Sequence, residues 1–246
     1  MTVTHAEFGL VRPEHKIFWA ARSESEDPLN SALLRRFFVQ YAKTHHRTFS
    51  WRRADTTAYE LMVAELLLVQ TKAEDVAGVL PKVLARYPSA EKLARARSRS
   101  LVQILRPLGL QNQRTRALRG VARALVERFE GQLPASIDEL LSLSHVGLYV
   151  ACAVACFSYG ERVPIVDANV LRVLGRIYGI ETGRELRRSP QVWKIAWKIL
   201  PKRNCTLHNY GILDFAAEIC KSRTPQCQIC GLNQICAFAT MKKEGR

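Results

Sequence analysis

Four of the chain's seven cysteines fall within CKSRTPQCQICGLNQIC, residues 220–236, with the spacing C-x6-C-x2-C-x5-C. Thiolates this close along a chain can meet at one metal centre, because short loops bring them together at a small entropic cost. Four sulfur donors suit either a tetrahedral zinc ion or a cubane iron–sulfur cluster. Structural zinc sites usually pair two short C-x2-C hooks, and this segment has one, at Cys227 and Cys230. Cys152 and Cys156 stand four apart on one face of an apolar stretch and are expected in the core. Residues 1–16 hold no apolar stretch followed by a small-residue cleavage site, so a secretory signal is not expected. An intracellular setting keeps thiols reduced, which favours ligands or buried thiols over disulfides.

Helical periodicity runs through nearly all of the chain. Leu33, Leu34, Phe37, Phe38 and Tyr41 recur at helix spacing, as do Tyr59, Leu61, Met62, Leu66 and Val69. Val76, Val79, Leu80, Val83 and Leu84 repeat the pattern, and so do Leu118, Val121, Leu125, Val126 and Phe129. Ser136 with Glu139 predicts a capping box. Strand-like alternation is absent, so the expected fold is all-α. Residues 1–28 carry several charges and two prolines and are expected to form a loose arm.

The charge balance narrows the partners. Lys and Arg total 37 against 22 Asp and Glu, a net charge of +15. A surplus of that size points to a polyanion, nucleic acid first and an anionic membrane surface second. The longest mostly apolar stretch, Tyr149 to Tyr159, is about half the roughly 20 residues a membrane span needs.

The cysteine loop, close to the C-terminus and preceded by HNYGILDFAAEIC, resembles the [4Fe-4S] loop of the endonuclease III and MutY family of DNA glycosylases. The resemblance runs from about residue 30 to 237 and includes the FSWR segment at 49–52. It implies a two-lobed HhH-GPD fold, with a six-helix barrel lobe at 51–161 and a cluster lobe combining 1–50 with 162–246. It also implies a [4Fe-4S] cluster on Cys220, Cys227, Cys230 and Cys236, acting as a structural clamp on a basic loop that includes Lys221 and Arg223. The implied partner is double-stranded DNA lying across a basic cleft, bound by a monomer. In a prokaryote the setting would be the cytoplasm, at the nucleoid.

The family's helix-hairpin-helix matches residues 141–179, LSLSHVGLYVACAVACFSYGERVPIVDANVLRVLGRIYG. A glycine turn there can offer backbone N–H groups to a phosphate. The family usually has Gly-Val-Gly at the turn, and this chain has His145-Val146-Gly147, so the turn is expected to differ in detail. His145 and Gly147 are the candidate phosphate contacts. VDANVLRV matches the segment with the catalytic aspartate, here Asp167. Without the resemblance, Asp167 reads only as a helix N-cap, worth about 1 kcal/mol. The helix dipole favours its ionised form, which suits it to stabilise a cationic sugar and orient a water. Asn169 is expected to fix the carboxylate's geometry.

Position 149 separates the family's branches. Endonuclease III has there a lysine that forms a Schiff base, MutY typically a serine, and this chain has Tyr149. Tyrosine resembles the Mig-type thymine-DNA mismatch glycosylases, and it cannot form a Schiff base. AELLLVQTKAEDV, residues 64–76, resembles the segment whose glutamine fills the gap left by an extruded nucleotide, here Gln70. Glu65 falls where MutY and Mig-type enzymes keep a glutamate suited to proton donation. RPLGLQNQRTRAL, residues 106–118, resembles the second wedge loop. There Leu110 and Gln111 would press on the opposite strand, and Arg114 and Arg116 would approach phosphates.

The resemblance therefore implies a monofunctional glycosylase in base excision repair, removing thymine or uracil from G·T and G·U pairs. The alternatives are a MutY-type adenine glycosylase, a glycosylase for another modified pyrimidine, and a structure-specific DNA-binding protein without catalysis. Ten residues follow Cys236, fewer than the C-terminal domain MutY uses would need.

Overall fold

A computed structural model describes residues 30–180 and 190–243, together with Phe18 and Ala21. The described residues form α-helices joined by short loops, with no strand among them. The chain divides into two units, one of residues 48–159 and one of 1–47 with 160–246.

In the first unit the helices are α2 (Ala58–Leu68), α3 (Ala73–Arg86), the five-residue α4 (Ala90–Ala94), α5 (Ser98–Leu105), α6 (Gln111–Phe129), α7 (Ile137–Ser142) and α8 (Leu148–Tyr159). α8 is apolar all round, and Val150 to Cys156 are fully buried, so it forms the centre of the unit. Cys152 and Cys156 are core residues here, and burial pushes the Cys152 thiol's pKa up. α2 is equally apolar and packs on α8. Its start is a capping box: Thr57 accepts from the Glu60 backbone, and the Glu60 side chain accepts from the Thr57 backbone. The box expected at Ser136 does not form, because the Ser136 side chain makes no cap bond. The first turn of α7 carries Asp138 and Glu139 instead, which suit the positive end of the helix dipole. Val69, expected on the buried face of α2, lies past the helix end and is exposed.

The second unit holds α1 (Ser31–Thr44), α9 (Ala168–Tyr178), α10 (Pro190–Ile199), α11 (Cys205–Glu218) and α12 (Ala237–Lys243). α1 and α11 pack so closely that a Cβ on Gly211 would sit 1.9 Å from the Phe38 carbonyl oxygen. Only glycine allows that approach. Phe37, Phe38 and Tyr41 meet Phe215 edge to face across this contact. The N-terminal stretch expected to be a loose arm lies mostly outside the described residues. Phe18, within it, is fully buried against Trp193 and Trp197 of α10, and its carbonyl accepts from the Trp197 indole at 3.3 Å. At least that residue is anchored by packing. No helix among the described residues is long and apolar enough to cross a membrane.

Candidate active site

Asp167 is delivered by a buried extended run, Val163 to Val166. Asn209 of α11 holds the run like a strand partner, donating to the Val163 carbonyl at 2.9 Å and accepting from the Ile165 N–H at 3.3 Å. Asp167 then caps α9. Its Oδ1 accepts from the Asn169 and Val170 backbone N–H groups, each at 2.8 Å. Its Oδ2 accepts from the Asn169 side-chain amide at 2.6 Å. Both carboxylate oxygens are thus oriented, while the residue stays half-buried. Asn169 is held in turn by Arg172, which donates to its Oδ1 at 2.9 Å. Arg172 also donates to the Cys220 carbonyl at 2.8 Å and the Ala216 carbonyl at 2.9 Å, satisfying carbonyls at the end of α11. Burial lowers the Arg172 pKa.

Glu65 and Tyr149 come together from α2 and α8. The Tyr149 hydroxyl donates to Glu65 Oε2 at 2.6 Å. Glu65 is 2% exposed, in a helix whose other buried residues are apolar, so an acid here has a reason other than solubility. Residues 84 positions apart form a pair because two apolar helices pack.

Among the expected DNA contacts of the same unit, Gln70, Leu110 and His145 share a property their side chains do not announce. All three have left-handed backbones, at φ 58°, 50° and 69°. His145 therefore keeps a conformation that glycine adopts most easily, and its ring lies beside Gly120 of α6. Gly147 is exposed with open space around it, directly before α8. Gln111 is the first residue of α6 and Arg116 is exposed on it.

Arg114 departs from expectation. It is 6% exposed and does not reach outward to a phosphate. Its guanidinium donates to the carbonyls of Gly109 at 3.0 Å, Leu67 at 3.0 Å and Val69 at 3.2 Å, and to the Thr71 hydroxyl. The physical reason is that the carbonyls at the end of α2 lack helical partners and the planar five-donor fork supplies them. Burial lowers its pKa.

The cysteine loop follows α11. Cys220, Cys227, Cys230 and Cys236 are half-buried. Burial raises the Cys230 thiol's pKa, and the neighbouring thiols of Cys236, Cys220 and Cys227 raise it further. Burial raises the Cys236 thiol's pKa as well, with Cys220 and Cys227 adding to it. Arg176 supports the loop by donating to the Lys221 carbonyl at 2.7 Å and the Ser222 carbonyl at 2.8 Å, with Cys220 Sγ at 3.4 Å. The donor set is right in kind for a thiolate-bound centre, although among the described residues no three His, Cys, Asp or Glu side chains are arranged to hold a metal ion.

Sequence reasoning missed Arg172, Asn209 and Arg176. The one signal for them was polarity inside apolar helical patterns.

The chain belongs to the HhH-GPD superfamily of base excision DNA repair proteins, matching it over residues 63–202. It is 34% identical over 210 residues to a thymine-DNA glycosylase of Aeropyrum pernix, covering 84% of this chain and 94% of the relative. It is 34% identical over 202 residues to a thymine/uracil-DNA glycosylase of Pyrobaculum aerophilum, covering 80% and 87%. A solved structure of a thermostable thymine-DNA glycosylase superposes with a TM-score of 0.79 at 28% identity, covering 86% of this chain and 97% of that one. The superfamily includes iron–sulfur glycosylases of the endonuclease III and MutY kind.

Proposed function

We propose that this chain is a monofunctional DNA glycosylase that removes thymine or uracil from G·T and G·U pairs. The observation that carries this reading is the Tyr149–Glu65 hydrogen bond: a phenol paired with an acid stands where a lysine nucleophile would form a Schiff base. The relatives' names support the same choice of base.

The glycosidic bond cannot be reached inside the stack, so the nucleotide is extruded first, and mispaired bases cost least to extrude. As the bond breaks, the sugar gains positive charge. Asp167, oriented by Asn169, stabilises that charge and orients the water that adds at the anomeric carbon. Glu65, positioned by Tyr149, assists proton transfer to the departing base. Gln70 fills the vacated space, and Leu110 and Gln111 press on the opposite strand. Gly147, His145 and the start of α8 face a backbone phosphate. The charge of +15 supports binding to duplex DNA, which the chain engages as a monomer.

Cys220, Cys227, Cys230 and Cys236 would hold a [4Fe-4S] cluster, which when bound supplies a cross-link that shapes the loop rather than a reacting group. Iron and sulfide analysis with visible absorption checks it; one zinc in a colourless protein would refute it.

A panel of duplexes with G·T, G·U, G·C, A·8-oxoguanine and oxidised-pyrimidine pairs tests the substrate. Release of thymine and uracil opposite guanine is expected. Release of adenine alone, or of neither pyrimidine, would overturn the reading.

A further inference from the structure

Two loops of the 48–159 unit present exposed apolar side chains. Val69, after α2, is 42% exposed, and Leu110, before α6, is 53% exposed. Each loop also holds a left-handed backbone at a residue with a side chain, Gln70 in the first and Leu110 in the second. Such conformations persist only where surrounding structure enforces them. Backbone bonds close each turn, from the Thr71 N–H to the Leu68 carbonyl and from the Gly109 N–H to the Arg106 carbonyl, and one side chain ties the two turns to each other. Arg114 Nε bonds to the Gly109 carbonyl, Nη1 to the Leu67 carbonyl, and Nη2 to the Val69 carbonyl and the Thr71 hydroxyl. Three nitrogens therefore reach four acceptors, at Leu67 in the last turn of α2, at Val69 and Thr71 on either side of Gln70, and at Gly109 before Leu110.

We propose that Arg114 is a positioning residue that braces these loops into one stiff two-pronged wedge for opening a base stack. This deepens the glycosylase reading and rests on it for the substrate. Apolar side chains inserted between bases must hold neighbouring pairs apart. Prongs on independent loops would yield, whereas prongs tied through a planar guanidinium move as one body. The brace also completes the end of α2, the helix that carries Glu65. A lysine has a single nitrogen and cannot span both loops in the same way.

The test compares the wild type with Arg114→Gln, Arg114→Lys and Thr71→Val. Each is given a G·T duplex with 2-aminopurine beside the mismatch, and a fully paired duplex over a range of salt. Fluorescence reads unstacking, titration reads affinity, and single-turnover release reads chemistry. Arg114→Gln is expected to lose tenfold or more in release rate and most of the unstacking signal. Its affinity for paired DNA and the salt dependence of that affinity stay unchanged. Arg114→Lys recovers part of both losses, and Thr71→Val shows a smaller loss in the same direction. If Arg114→Gln does not fold, the other two variants carry the test.

Uniform weakening on both duplexes, with a salt slope shallower by about one, would identify a phosphate contact and overturn the brace. Normal unstacking in Arg114→Gln, or in both other variants, would overturn it as well. Unstacking needs no bond cleavage, so the brace can stand or fall separately from the choice of excised base.

Discussion

Glu65 and Tyr149 meet because two apolar helices, α2 and α8, pack against each other. Asp167 is held differently, by hydrogen bonds running through Asn169 and Arg172 to carbonyls at the end of α11, with Asn209 fixing the approach. The first arrangement tolerates a change in one contact, because burial of the whole helix face maintains it. The second depends on a few directed bonds. Precision at the carboxylate is therefore concentrated in few atoms, whereas precision at the acid–phenol pair is spread over a core.

Asp167→Asn should show the largest effect of any single change. Base release is expected to fall on the order of 10³-fold through lost electrostatic stabilisation, with duplex affinity nearly unchanged. An equal loss of affinity would mean that Asp167 binds rather than reacts.

The unit that carries Asp167 also contains a buried ring, His208 of α11, and among the described residues neither ring nitrogen has a hydrogen-bond partner. Burial, with the charge of Arg35, lowers its pKa from 6.5 to about 3. Above pH 6.5 the ring is neutral whether the chain is folded or unfolded. Below it, the unfolded chain takes up a proton that the folded chain refuses until about pH 3, so stability falls with pH in that window. The fall approaches about 1.4 kcal/mol per pH unit, or about 2 kcal/mol by pH 5. Denaturant melts at pH 7 and pH 5 should show that His208→Leu removes this part of the slope. An unchanged slope would contradict it.

Tyr149→Phe removes the hydroxyl while keeping the ring. Leaving Glu65 buried without that donor should cost about 1–2 kcal/mol of stability. A tenfold or greater drop in release rate should accompany it, within the range for acid–base assistance. Thermal melts with single-turnover rates would separate the two, and a variant with wild-type rates would remove Tyr149 from the mechanism. The smallest effect is expected at the hairpin. His145→Gly relieves a left-handed backbone, so stability should change by less than about 1 kcal/mol, offset by lost packing near Gly120. A large loss would show that the ring, not the backbone, shapes the turn.

The same contrast explains what was legible in the sequence. Apolar periodicity located α1, α2, α3 and α6, since burial selects residues at helix spacing. The aspartate was legible because a capping residue precedes a helical pattern. Arg114, Arg172 and Asn209 were not legible in their structural roles. Most of their partners are backbone carbonyls and amides, which no side-chain spacing marks. Arg114 looked like a solvated phosphate contact for that reason. The capping box was expected at Ser136 but formed at Thr57, where the local spacing is the same and the side-chain geometry decides.

The proposed reaction is hydrolysis of the N-glycosidic bond without attack by an amine, since Tyr149 stands where a lysine would form a Schiff base. An end-labelled G·T duplex incubated with the enzyme, then quenched with and without hot alkali, tests it most directly. Thymine release is expected, with strand breaks that appear only after alkali and in equal amount to the thymine. Strand breaks before alkali, or no release of thymine, would contradict it.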